Sequence, residues 1–251
     1  MPVNGLHSNP LDASLAGFFT PLRAVLYPGH PEERTTLAAR LPDGAIVSLA
    51  TTYDSAKTVS ALTNATPGVA TSTAHGYADG DIIVMSSGWS NLNNRVVRVD
   101  GQTANTFEIE GIDTSSTTLF PASSGTGTAT EITAFTQITQ IMGFATSGGD
   151  QQFATYSFLE QNFETQIPTI FSAQSITIDI ADDPSLAGYI AIKAASDARA
   201  VRALKIAMPD GSTIYYNGYV SFNETPTVSK GQVMQVKATF SLLGKPTRYA
   251  A

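Results

Sequence analysis

"GQVMQVKATFSLLG", Gly231 to Gly244, is the stretch whose reading decides the fold. In it Met234, Val236, Ala238, Phe240 and Leu242 alternate with Gln235, Lys237, Thr239 and Ser241. A period of two is that of an extended strand, whose side chains leave alternately on opposite sides. One side is built for a core and the other for solvent or a lumen.

The text around it repeats this theme. "QSITIDI" (Gln174 to Ile180) places Ile176, Ile178 and Ile180 on one face, and "VRALKIAM", the turn "PDGS" and "TIYYNGYVSF" continue as strand, turn and strand. Only "ADDPSLAGYIAIKAASDARA" has helical spacing. There Asp183 can cap the first turn, Pro184 suits the first helical position, and Leu186, Tyr189, Ile190 and Ala194 share a face.

Further out, "FFTPLRAVLY" (Phe18 to Tyr27) and "AIVSLATTY" (Ala45 to Tyr53) read as strands, separated by the turn-rich "PGHPEERTTLAARLPDG". Residues 1–17 read as a flexible N-terminal arm. "ITAFTQITQIMGFA" (Ile132 to Ala145) alternates, with Ile138 and Met142 on one face. Thr146 to Thr169 is polar and aromatic without a clean period, and reads as a long loop of the kind a compact domain keeps for function.

From about Lys57 to Glu131 the texture changes. "VSALTNATPGVATSTA", "DIIVMSS", "NRVVRVD" and "NTFEIEGI" are short strand-like runs between Gly, Asn and Asp turns, as in a small all-β module. "TTLFPASSGTGTATEI" reads as a low-complexity linker closing it. The expected fold is all-β: a β-sandwich or barrel with one flanking α-helix over 18–57 and 132–251, plus an inserted small β-barrel domain over 58–131.

Charged residues are only 14% of the 251, against roughly 25% in an ordinary soluble domain. Ser, Thr, Asn and Gln carry much of the remaining polarity, which suits neutral contact with other protein. The net charge of -7 disfavours a surface that grips nucleic acid by its phosphates. With 0 Cys, disulfides, thiolate metal sites and a cysteine nucleophile are excluded. No apolar run approaches the roughly 20 residues of a membrane span. The first residues lack the basic start and apolar core of a signal peptide, so a soluble protein made in the cytoplasm is expected.

The most chemical-looking run is "HGYADGDI", with His75, Asp79 and Asp81 inside seven residues. A zinc site needs three or four converging ligands, and no other His is near in sequence. Asp79-Gly80 is a turn dipeptide before a strand, so turn chemistry is the better account. Asp179, Asp182 and Asp183 resemble a magnesium-binding cluster, but acids before a helix satisfy its amides and dipole. "SGTGT" (Ser124 to Thr128) neither opens a helix nor carries the Lys of a phosphate loop, and is taken as linker. His7 and His30 lie in turn-rich text, and no nucleophile elbow is present. Trp89 is expected to plug the small barrel. No catalytic, cofactor-binding or metal residue is assigned, and no enzyme activity or cofactor is expected.

"MPDGSTIYYNGYVSF" and "VKATFSLLGKPT", with "DDPS" opening a helix, resemble the major tail tube proteins of long non-contractile, lambda-like siphovirus tails. The resemblance covers roughly Ala134 to Thr247 and the strand region from Phe18 to Tyr53. "TSTAHGYADGDIIVMSSG" and "LNNRVVRVDGQTANTFEIEGID" are similar to a small β-barrel module of phage structural proteins, itself similar to a non-catalytic subdomain of ubiquitin-activating enzymes. The resemblance implies a virion protein, assembled in the host cytoplasm, that forms hexameric rings stacked into a tail tube for DNA ejection. It implies a tape measure protein within, tail terminator and distal tail or baseplate proteins at the ends, DNA passing without specific binding, and no membrane partner. Thr146 to Thr169 and Met1 to Gly17 are then candidates for ring-to-ring contact, and 58–131 a module on the exterior. A terminator or baseplate hub protein of related fold, and a carbohydrate-binding adhesin-like sandwich, are the alternatives.

Overall fold

The structure is a computed structural model and describes residues 43–251. The arm, the strand expected over Phe18 to Tyr27, His7 and His30 lie outside the described residues. Strand β1 (Ile46–Tyr53) is followed by six short strands: β2 (Lys57–Val59), β3 (Ala61–Leu62), β4 (Gly68–Thr71), β5 (Ile82–Ser87), β6 (Arg95–Asp100) and β7 (Thr106–Ile109). Then come the long β8 (Gly127–Ile138), β9 (Ile141–Ser147), β10 (Gln151–Tyr156), β11 (Thr165–Phe171) and β12 (Ser175–Ala181). Helix α1 (Ala187–Asp197) precedes β13 (Val201–Ala207), β14 (Thr213–Thr227), β15 (Gln235–Leu242) and β16 (Thr247–Tyr249). The described residues are all-β with one α-helix.

All strand pairings are antiparallel. The main path runs β3-β4-β7-β6-β5-β8-β1-β13-β14-β15-β12-β9, with β2 beside β8 and β16 beside β14. Its large lobe, from β8 to β9, wraps around one core. Ile138 of β8, Leu49 of β1, Leu204 of β13, Val220 of β14, Phe240 of β15 and Ile178 of β12 all line it, and α1 closes it with Tyr189, Ile192 and Ala195. Val236, Ala238 and Phe240 are buried as their alternation requires, and Ile176, Ile178 and Ile180 face them across the β12–β15 pairing. Fully burying one such side chain is worth roughly 1.5–3 kcal/mol.

Helix α1 departs from its expected phase. Gly188, Tyr189, Ile192 and Ala195 are its buried residues, while Ile190 is exposed. Leu186 stands at the N-cap with no side-chain cap. Asp183 instead accepts from the amide and hydroxyl of Ser185, so the "DDPS" run makes a turn before the helix rather than capping it. The phase is set by Gly188, where a Cβ would lie 2.6 Å from the carbonyl oxygen of Gln137. Only glycine lets the helix sit this close to β8.

Two other expectations change. The alternation through Ile138 and Met142 is broken by Gln140, whose φ of 56° turns the chain between β8 and β9. Ile138 is therefore buried and Met142 exposed. The expected linker around "SGTGT" ends in ordered strand, since Gly127 and Thr128 pair with Val59 and Thr58 of β2 and with Ser87 and Ser86 of β5. β8 then runs on to pair Ile132–Ile138 with β1. One strand thus serves both lobes.

The small lobe, from β2 to the start of β8, has its own core of Val59, Ile83, Met85, Trp89, Phe107 and Ile109 among others. Trp89 is 1% exposed and its indole N–H donates to the Pro121 carbonyl at 2.6 Å, with Phe120 edge-on to the ring. A third cluster, including Val96, Ile132, Ala203, Tyr215 and Tyr249, seals the junction between the lobes. There the Arg98 guanidinium lies 4.4 Å from the centre of the Tyr249 ring and pairs with Glu110.

Candidate assembly surface

The segment expected to be a loop over Thr146 to Thr169 is β9 followed by a two-stranded hairpin. Among the described residues β10 and β11 pair only with each other, from Gln151 opposite Phe171 to Tyr156 opposite Thr165. The hairpin has apolar residues on both sides: Phe153 on one, Tyr156 and Ile167 on the other, and all three are exposed. At the tip Phe158 and Phe163 are more than half exposed, and Leu159 is fully so, at 104%. An isolated two-stranded hairpin is marginal in water, and contiguous exposed apolar surface marks an interaction site. A clean period is missing because apolar residues occur on both sides of this hairpin. That doubled apolar character is the signal a reading for alternation passes over.

A second surface is the free edge of β9. Among the described residues this strand pairs with β12 on one side only, and its outer edge lies beside exposed Met142 and Phe144. Such an edge is a template for another chain.

A third surface is the outward face of β12, β15 and β14. Residues opposite one another form rows: Ser175, Ser241 and Tyr219; Thr177, Thr239 and Ser221; Asp179, Lys237 and Asn223. Its only charges are Asp179 and Lys237, which stand 4.0 Å apart as an ion pair. The face is therefore wet, hydroxyl-rich and close to neutral.

The small lobe holds the remaining candidates, and they form turns. His75 is 2% exposed. Its Nδ1 accepts from the Tyr77 N–H at 3.0 Å, which leaves Nε2–H to face the Thr106 carbonyl at 3.3 Å. Its ring packs against Tyr77 and Phe107. The Asp81 carboxylate accepts from the Ala78 N–H at 2.7 Å and that of Asp79 from the Gln102 N–H at 2.9 Å. Gly76 and Gly80 have φ of 77° and 94°, a region closed to most side chains. Both ring nitrogens of His75 are thus engaged and its two aspartates hold backbone amides. Asp182 is spent on the Tyr189 hydroxyl, and Ser185 holds the Asp183 carboxyl below its usual range. Among the described residues no three His, Asp or Glu converge as metal ligands.

What the described residues offer other molecules is an apolar hairpin, a strand edge and a polar sheet face. These define a structural subunit whose surface is to be covered by further protein. The chain belongs to the phage tail tube protein family, whose family model matches residues 87–251. The match begins at the end of β5, so it takes in β6, β7 and all of β8 as well as the large lobe. No curated protein matches the chain. Membership makes it a structural component of the virion that self-assembles into a tube.

Proposed function

We propose that this chain forms hexameric rings that stack head to tail into the tube of a long, non-contractile siphovirus tail, the conduit for DNA ejection. The observation that carries this is the β10–β11 hairpin, which exposes Phe153, Phe158, Leu159, Phe163 and Ile167 and has no further partner strand among the described residues. Copies related by translation along an axis cover one another's projecting elements without closing, which is how filaments grow. The open edge of β9 supplies the contact within a ring by strand addition.

The hydroxyl-rich face of β12, β15 and β14 lines the lumen in this arrangement. Neutral Ser and Thr rows offer a sliding phosphate backbone nothing to grip, in keeping with the overall charge of -7. Residues 58–131 act as an inserted module on the exterior. Support comes from its separate hydrophobic core and from its attachment to the large lobe through the shared strand β8. A tape measure protein inside the tube and terminator and distal tail proteins at its ends complete the assembly.

Electron microscopy of the purified chain at high concentration tests this. Long tubes of uniform diameter are expected. Single rings that never stack would point to a terminator, and persistent monomers would end the tube proposal.

A further inference from the structure

The base of the hairpin carries a groove of about 520 Å³, lined by Phe171, Leu242, Leu243 and Pro246 and flanked by Arg95 and Lys245. That size is in the range of clefts that seat several side-chain-sized groups. Lys245 is exposed, donates to Asn91 at 2.8 Å and lies 5.7 Å from the centre of the Phe171 ring. Arg95 is half-buried and its Nε donates to the Thr247 hydroxyl at 2.9 Å. Burial lowers its pKa from the ordinary arginine value, and among the described residues no carboxylate pairs with it or with Lys245. The groove thus combines apolar side chains with two cations, and Ser90, Ser172 and Gln174 add polar groups to its lining.

The hairpin tip is the converse. "SFLEQNFE", Ser157 to Glu164, has Phe158, Leu159 and Phe163 exposed, two carboxylates in Glu160 and Glu164, and no Lys or Arg. Neither carboxylate pairs with a cation among the described residues. Apolar side chains beside anions match a groove that sets apolar side chains beside cations.

A tip cannot reach the groove of its own subunit. The paired strands hold Tyr156 and Gln151 at opposite ends of the hairpin, roughly 17 Å apart at 3.4 Å per residue, and the groove is at the Phe171 end. We infer that the hairpin tip, Phe158 to Glu164, docks in the groove between Phe171 and Lys245 of the next copy. Leu159 and Phe158 meet its apolar side chains, and Glu160 and Glu164 meet Lys245 and Arg95. The two surfaces differ, so the contact repeats in one direction and leaves a free groove at one end of the stack and free tips at the other. This rests on the tube proposal and names the receptor that proposal lacks.

The chain has 0 Cys, so introduced thiols report unambiguously. Leu159→Cys combined with Leu243→Cys, both exposed positions, is assembled into tubes and oxidised. A ladder of disulfide-linked multimers is expected on a non-reducing gel, with at most dimers from either single variant. Tubes that form but yield no ladder would overturn the docking and leave the tube proposal standing. An unmodified chain that forms no tubes would overturn both. Charge reversal supplies the second readout. Glu160→Lys and Lys245→Glu each slow tube growth at low salt by about tenfold, and the double variant regains it. Unchanged growth in both single variants would also overturn the docking.

Discussion

The phenolic oxygen of Tyr249 accepts a hydrogen bond from the backbone N–H of Arg98 at 2.7 Å, across 151 positions of sequence. The same ring lies beneath the Arg98 guanidinium and edge-on to Tyr215. The last strand is thereby held between the two lobes. Tyr249→Phe leaves the Arg98 amide without that acceptor and is expected to cost about 1–3 kcal/mol. Tyr249→Ala removes the ring as well and costs more. Urea unfolding of the two variants measures the order, and equal stability of Tyr249→Phe and the parent chain would refute the clamp.

Burial raises the pKa of Tyr249, to about 12, and raises those of Tyr53 and Tyr215 as well. A phenol whose folded pKa lies above its unfolded value of about 10 contributes stability that is present below pH 10. That contribution is lost as pH rises through the folded value. The chain should therefore lose stability steeply between about pH 10 and 12, with tyrosinate absorbance appearing together with unfolding. In Tyr249→Phe the slope of stability against pH in that window becomes shallower.

Trp89 is the single Trp, so its fluorescence reports the small lobe alone. Trp89→Ala empties the space beside Phe120, for an expected loss of about 3–5 kcal/mol. In the parent chain Trp89 emission and far-ultraviolet circular dichroism should change at one urea concentration, because β8 joins the two cores. Separate midpoints would show that the lobes unfold independently.

His75 is engaged at both nitrogens, so zinc has no lone pair to take. Added zinc is expected to leave the Tm unchanged, and a rise saturating at one equivalent would restore the metal reading. His75→Ala breaks the turn bond to Tyr77 and opens space beside Phe107, costing about 1–3 kcal/mol. His75→Asn supplies an acceptor for the same amide and falls between the two in a denaturant series.

Leu159 is fully exposed in the subunit. Leu159→Asp should change subunit stability by less than about 0.5 kcal/mol, since exposed substitutions rarely do more. Tube growth, followed by light scattering, should nonetheless fall to the level of the buffer control. Growth at the parent rate would remove the hairpin from the assembly surface.

Much of the large lobe is legible because its strands each have one buried face. In β12 and β15 the isoleucines and the Val236, Ala238 and Phe240 series declare the core directly. The hairpin is not legible in that way, because Phe153, Tyr156 and Ile167 put apolar residues on both of its sides. The helix phase is missed because Gly188 decides it by a close approach to Gln137, a contact 51 residues distant that no periodicity records. The end of the linker is misjudged because Gly127 and Thr128 look like spacer text, yet their backbone groups are taken by β2 and β5. The turn role of His75 and Asp81 is visible locally, since each accepts from a backbone amide of its own turn, whereas the partner of Asp79 is the Gln102 amide, 23 residues on, which no local reading records.

β8 gives both lobes the same backbone, and Tyr249 ties them a second time. A pull on the small lobe is thus borne by two covalent lines of chain and by the hydrogen-bonded ladders on either side of β8, all loaded at once. The small lobe behaves as a bracket on a wall, and any load it receives is delivered into the sheet that forms that wall.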